Sequence, residues 1–214
     1  NIPILAYSHS AGNISYRKKL AGYYKKLGIE LTPEQMIITS GGSEAIVFAM
    51  MACMDLGDEI IIPEPFYANY NGFAVMAGVK IVTVTAKIED GFALPPIDAI
   101  EKSITSKTKA VLICNPNNPT GYLYSKDEME QLEAICLKHQ LFLISDEAYR
   151  EFTYNGTATS ALKLNKIEEQ VIVVDTISKR YSACGARIGA FITKNKEVYT
   201  CLLYTSPSPR DQRG

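Results

Sequence analysis

The chain is poor in metal ligands and in long apolar runs. Only His9 and His139 offer imidazole, and the five cysteines (Cys53, Cys114, Cys136, Cys184, Cys201) lie far apart with no C-x-x-C pair. That scarcity argues against a zinc site and suits thiols kept reduced in the cytosol. The longest apolar run, Ala45 to Met54, is about half the ~20 residues of a membrane span, and no charged segment followed by an apolar one opens the chain. A cytoplasmic protein with no membrane partner is expected. An excess of either charge is also lacking: 22 Lys and Arg against 23 Asp and Glu give a net charge of -1, without the basic stripe that nucleic acid requires. With 47% hydrophobic and 21% charged residues over 214 positions, the chain has enough apolar material for a substantial core.

Neither end continues the pattern between them. The chain starts at Asn1 rather than a methionine, and CLLYTSPSPRDQRG, 201 to 214, has no periodicity. Cys201 to Asp211 resembles a sequencing adapter translated in one frame. Residues 201 to 214 are therefore set outside the fold as a non-native, adapter-derived tail, and the native sequence is expected to continue beyond Thr200.

Between the ends, short apolar runs alternate with helical stretches. ISYRKKLAGYYKKLGI (14 to 29) reads as an amphipathic helix. The runs MIIT, EIIIP, KIVTVT, KAVLIC, LFLIS, VIVVD and IGAFIT read as strands. SEAIVFAMMACM, FALPPIDAIEKSI and SKDEMEQLEAICLKH read as helices, the last opened by Ser125 and Glu128 as a capping box. Strands apolar on both faces and alternating with helices predict an α/β fold, a mostly parallel sheet with helices on both faces. Ligands of such sheets bind outside the carboxyl ends of the strands.

Four strand ends carry unusual residues. TSGGS (39 to 43) leads into a helix, where glycines and free amides make either an anion seat or an ordinary turn capped by Ser43. Asp146 ends an apolar strand, so its carboxylate either caps a turn or awaits a cationic partner such as a protonated ring nitrogen. Asn118, within NPNNPTG, and Tyr149 can each hydrogen-bond a ring hydroxyl, although that loop also suits a plain turn. Lys179 lies among small residues with Arg180 and Arg187 nearby to disfavour its protonation, as a nucleophilic amine requires. Arg187 suits a phosphate. A solvated basic loop is the plainer alternative for all three. Taken together, these parts describe a pocket for an aromatic aldehyde phosphate, and pyridoxal 5'-phosphate is the obvious occupant.

The motifs YSHSAG, TSGGSEA, PEPFYANY, NPNNPTG, SDEAY and TISKRYSACGARIG, in that order, resemble the class I/II aminotransferases of fold type I, in particular their aspartate aminotransferase-like branch. The resemblance covers nearly all of residues 4 to 200. It implies that 1–35 is the remnant of an N-terminal segment and helix, and that 36–200 is an incomplete pyridoxal phosphate-binding large domain, truncated at both ends. It further implies that Lys179 is the Schiff-base lysine and acid-base catalyst, with Asp146 on the pyridinium nitrogen and Asn118 and Tyr149 on the ring oxygen. Gly42, Ser43, Glu44, Thr176 and Arg187 would hold the phosphate, Tyr67 would stack on the ring, and Tyr7 would reach the phosphate of the other subunit of a homodimer. The implied reaction moves an amino group from an amino acid, with aspartate or glutamate as the default donor, to a 2-oxo acid by a ping-pong route. The arginine that binds the substrate carboxylate in the family belongs to a C-terminal domain missing here. Alternatives weighed beside this are a β-lyase of the same fold and a non-catalytic sensing domain; the latter calls for an upstream helix-turn-helix, and residues 1 to 35 show none.

Overall fold

The computed structural model describes residues 8–205. Each of the seven apolar runs forms a strand: β1 (Met36–Thr39), β2 (Glu59–Glu64), β3 (Lys80–Thr85), β4 (Thr108–Cys114), β5 (Phe142–Asp146), β6 (Val171–Thr176) and β7 (Gly189–Thr193). They join in one sheet in the order β1-β7-β6-β5-β4-β2-β3. β2 to β6 pair parallel, and β7 runs antiparallel to both of its neighbours, β6 and β1.

The strand alternation sorts the core into two layers. Val111, Ile113, Leu143, Val171 and Val173 point to one face, where they meet helices α1 (Ile14–Lys26), α4 (Ile97–Lys102) and α5 (Lys126–His139). Ala110, Leu112, Ile144, Ile172 and Val174 point to the other, against α2 (Gly42–Cys53), α3 (Asn69–Ala77) and α7 (Lys196–Thr205). Side chains in strands alternate between faces, so a run apolar at every position supplies both layers. Helix α5 opens with the expected box: Ser125 Oγ accepts from Glu128 N at 3.2 Å, and Glu128 Oε2 accepts from Ser125 N at 2.7 Å.

Three local expectations change. FALPPIDAIEKSI yields only the short α4, because Pro95 and Pro96 hold the chain extended until Ile97. Beyond β6 the chain does not remain a loop but makes a one-turn helix, α6 (Ile177–Arg180), capped by Thr176 Oγ1, which accepts from Ser178 N at 3.2 Å. The segment set aside from 201 onward begins inside α7, where Val198 and Leu202, four residues apart, are buried on one stripe facing α2 and β7. No helix among the described residues is long and apolar enough to cross a membrane.

Candidate active site

With β1 and β4 to β6 running in one direction, Thr39, Cys114, Asp146 and Thr176 end at the same edge of the sheet. A cavity of about 190 Å³ opens there, several times the ~30 Å³ share of one water. Of the residues singled out by sequence, Gly42, Ser43, Tyr67, Asn118, Asp146, Tyr149, Thr176, Lys179 and Arg187 line it. Glu44 does not; its carboxylate accepts from Ser40 N at 2.7 Å and braces the turn beneath. Tyr7 lies outside the described residues.

One wall is the start of α2. Gly41 caps the helix at φ +99, and a Cβ there would lie 2.4 Å from Arg187 Nη2. Glycine is required twice over, by the backbone and by the guanidinium lying across it. Arg187 is fixed by donating to Ser40 O at 3.1 Å and Cys184 O at 3.2 Å, and its own backbone is left-handed at φ +52. At Gly189 a Cβ would meet Gly41 C at 2.4 Å, so β7 packs backbone to backbone against this turn. The result is a helix N-terminus with a guanidinium above it, an arrangement suited to an anion.

The floor is Asp146, 7% exposed. Burial pushes its carboxyl above the usual value; donation from Tyr70 and from the Ala148 N–H works against that, and the negative charges of Glu147 and Asp175 add to it. Tyr70 OH donates to Oδ2 at 2.8 Å and Ala148 N to Oδ1 at 3.1 Å. No cation pairs with Asp146 among the described residues. Lys179 Nζ stands 5.5 Å from the centroid of the Tyr149 ring and likewise forms no ion pair there.

The expectation that Arg180 bears on the Lys179 amine gives way to a different role. Arg180 Nη2 donates to Asp175 Oδ1 at 2.8 Å, and Nε lies 3.0 Å from Glu151 Oε2, in an ion pair not aligned as a hydrogen bond. Its guanidinium covers the Tyr23 ring at 4.2 Å, and the Tyr23 hydroxyl itself donates to Glu151. Arg150, also buried, donates to Glu147 Oε2 at 2.8 Å and to Tyr24 OH at 2.7 Å, with Asp175 Oδ2 3.5 Å away. Burial opposes the Arg150 charge, yet Glu147, Tyr24 and Asp175 more than compensate and hold it protonated. This cluster lies behind the cavity. It was not legible in the sequence, because its members come from α1, β6, α6 and the turn after β5.

Other lining residues also escaped the sequence reading, among them Phe73, Cys114, Ser178 and Cys184. Ser178 had an available signal in its place beside Lys179; Cys114 had one as the last residue of a buried strand. Tyr70 stands within PEPFYANY without having been given a task. Among the described residues no group of three or more His, Cys, Asp or Glu side chains could hold a metal ion.

Comparison with known proteins agrees with this geometry. The family described as "Aminotransferase class I and II" matches residues 3–208. The aspartate aminotransferase of Bacillus subtilis (strain 168) is 34% identical over 186 residues, 86% of this chain and 47% of that protein. The aspartate/prephenate aminotransferase of Thermus thermophilus is 34% identical over 201 residues, 94% of this chain and 51% of its own. Among solved structures, a single mutant of Thermus thermophilus aspartate aminotransferase superposes with a TM-score of 0.88 at 33% identity, covering 94% of this chain and 52% of that one. The aromatic aminotransferase from Pyrococcus horikoshii OT3 does so with 0.88 at 30%, covering 94% and 54%. The chain spans about half the length of the curated relatives it matches. Its mostly parallel seven-stranded sheet is that of the fold type I aminotransferases, and the chain belongs to the class I and II aminotransferase family, in its aspartate aminotransferase-like branch.

Proposed function

We propose that residues 36–200 form the pyridoxal 5'-phosphate-binding part of an aminotransferase that moves an amino group from an amino acid, aspartate or glutamate by preference, to a 2-oxo acid in two half-reactions. The parent acts as a homodimer to which Tyr7 contributes across the interface. The observation that carries this reading is the meeting, in one cavity, of an unpaired amine (Lys179), a buried carboxylate without a cation (Asp146) and a guanidinium across a helix N-terminus (Arg187 over Gly41). That donor set fits the cofactor group by group. The helix N-terminus crossed by the Arg187 guanidinium suits a phosphate, held by Gly42, Ser43, Thr176 and Arg187, with Glu44 bracing the turn. Asp146 suits a protonated ring nitrogen, and Asn118 and Tyr149 suit a ring oxygen. Tyr67 supplies an aromatic face.

When bound, pyridoxal phosphate supplies an aldehyde and an electron-accepting ring. Asp146 provides the fixed negative charge that keeps such a ring cationic. Lys179 would be the chain's point of covalent attachment for an aldehyde, and its amine, once free, would carry the proton from the substrate carbon to the cofactor carbon. The Tyr149 ring, its centroid 5.5 Å from Lys179 Nζ, presents an aromatic face to that amine.

The test is to add pyridoxal phosphate to the purified chain, reduce with borohydride and map the peptides. The expected result is a single adduct on Lys179, with glutamate alone then releasing no more than one oxo acid per unreduced site. An unlabelled Lys179 would sink the assignment.

A further inference from the structure

Asp146 is held by a residue that the cofactor assignment does not use. Tyr70 is fully buried, and its hydroxyl lies 2.8 Å from Asp146 Oδ2. Burial, and then the neighbouring carboxylate, push the phenol well above its usual range, so it acts as donor rather than acceptor. With Ala148 N on Oδ1, each carboxylate oxygen has one protein donor, leaving lone pairs for a partner in the cavity that Asp146 lines. The Tyr70 ring is fixed in turn, stacked on Phe66 at 6.1 Å and edge-on to Tyr67 at 5.5 Å. Helix α3 and the residues just before it thus supply both an aromatic wall of the cavity and the support beneath its carboxylate.

We propose that Tyr70 is a positioning residue for Asp146, its O–H holding the carboxylate oriented and ionised to meet a cationic ring nitrogen. This rests on the assignment of Asp146 to that nitrogen. The competing role is a tyrosine that only fills space in the core, and the two separate by the chemistry of the ligand. The probes are pyridoxal phosphate and its 1-deaza analogue, in which C–H replaces the ring nitrogen, titrated into the wild-type and Tyr70→Phe chains.

Removing a hydrogen bond to a charged acceptor weakens pyridoxal phosphate binding roughly tenfold or more, while affinity for the deaza analogue stays within about twofold, since that ligand gives Asp146 no cation to meet. Equal losses for both ligands, or no loss for either, overturn the proposal. A second variant, Tyr70→3-fluorotyrosine, keeps the ring and makes the phenol a stronger donor. It should tighten pyridoxal phosphate binding alone, and weaker or unchanged binding counts against the proposal even if Tyr70→Phe fails to fold. A wild-type chain that binds neither compound removes the cofactor reading and this inference together; one that binds pyridoxal phosphate no better than its Tyr70→Phe variant removes this inference only.

Discussion

Three pairs of sequence neighbours divide the polar chemistry of the chain between two regions. Asp146, Tyr149 and Lys179 line the cavity, whereas Glu147, Arg150 and Arg180, each the next residue along, belong to the ion-pair cluster behind it. In the cluster every carboxylate faces a guanidinium: Glu147 meets Arg150, Glu151 meets Arg180, and Asp175 meets both. In the cavity Asp146 has only neutral donors, and Lys179 has an aromatic ring. The cluster is charge-paired within the chain, although Arg180 Nε meets Glu151 without an aligned hydrogen bond. The cavity carries an amine and a carboxylate that have no ionic partner among the described residues.

That contrast breaks most sharply at Arg150. Arg150→Met strands Glu147 and leaves Asp175 with one cation, so unfolding by denaturant should show a loss of about 3–5 kcal/mol. Lys179→Met on the cavity side should stay within about 0.5 kcal/mol while abolishing the borohydride-trapped adduct. Comparable losses from the two would erase the distinction between the regions.

A smaller effect is expected at Gly41. Gly41→Ala places a Cβ where Arg187 Nη2 now lies and imposes a side chain on a backbone at φ +99. It should cost about 1–2 kcal/mol and lower affinity for inorganic phosphate or pyridoxal phosphate, as followed by calorimetry. Unchanged phosphate binding would mean that the guanidinium is not the anion's partner.

Asp146→Asn sharpens the comparison from the opposite direction, with the smallest effect. Burial raises the folded carboxyl above its ordinary value of 3.8, so the folded state holds a proton more tightly than the unfolded chain. Stability attributable to this group falls as pH rises from 3.8 through the folded pKa, and the cost persists at neutral pH. Without ligand, Asp146→Asn should therefore be more stable than wild type at pH 7 by up to about 1 kcal/mol, an advantage that fades as the pH is lowered towards 3.8. Thermal melts across that range check it, and an advantage independent of pH would exclude the ionised carboxylate as its source.

Much of the scaffold could be read from sequence because its signals are local. Doubly apolar runs such as VIVVD and a capping box such as Ser125 with Glu128 declare themselves within a few residues. So did the cavity's inventory, since residues at the ends of parallel strands converge on one edge whatever their spacing in the chain. Directions were harder. Nothing in the string SKR says that Lys179 faces the cavity while Arg180 turns back onto Asp175, because that depends on a one-turn helix and on Tyr23 arriving from α1. Tyr70 was hidden for the same reason: its partner is 76 positions away. The i, i+4 stripe of Val198 and Leu202 in α7 was not legible because it straddles the boundary of residues 201 to 214, which resemble a translated sequencing adapter.

Among the described residues β1 lies at the edge of the sheet, and its sole strand partner is β7. A strand near the start of the chain therefore waits for residues 189–193 before it can be hydrogen-bonded into place, a closure over some 150 positions and among the most non-local pairings in the fold. On a growing chain the central strands can assemble first, but the TSGGS turn that follows β1 gains its Gly189 buttress and its Arg187 cover only when that late segment emerges. Any arrest of synthesis before β7 leaves that turn without its guanidinium cover and its backbone buttress.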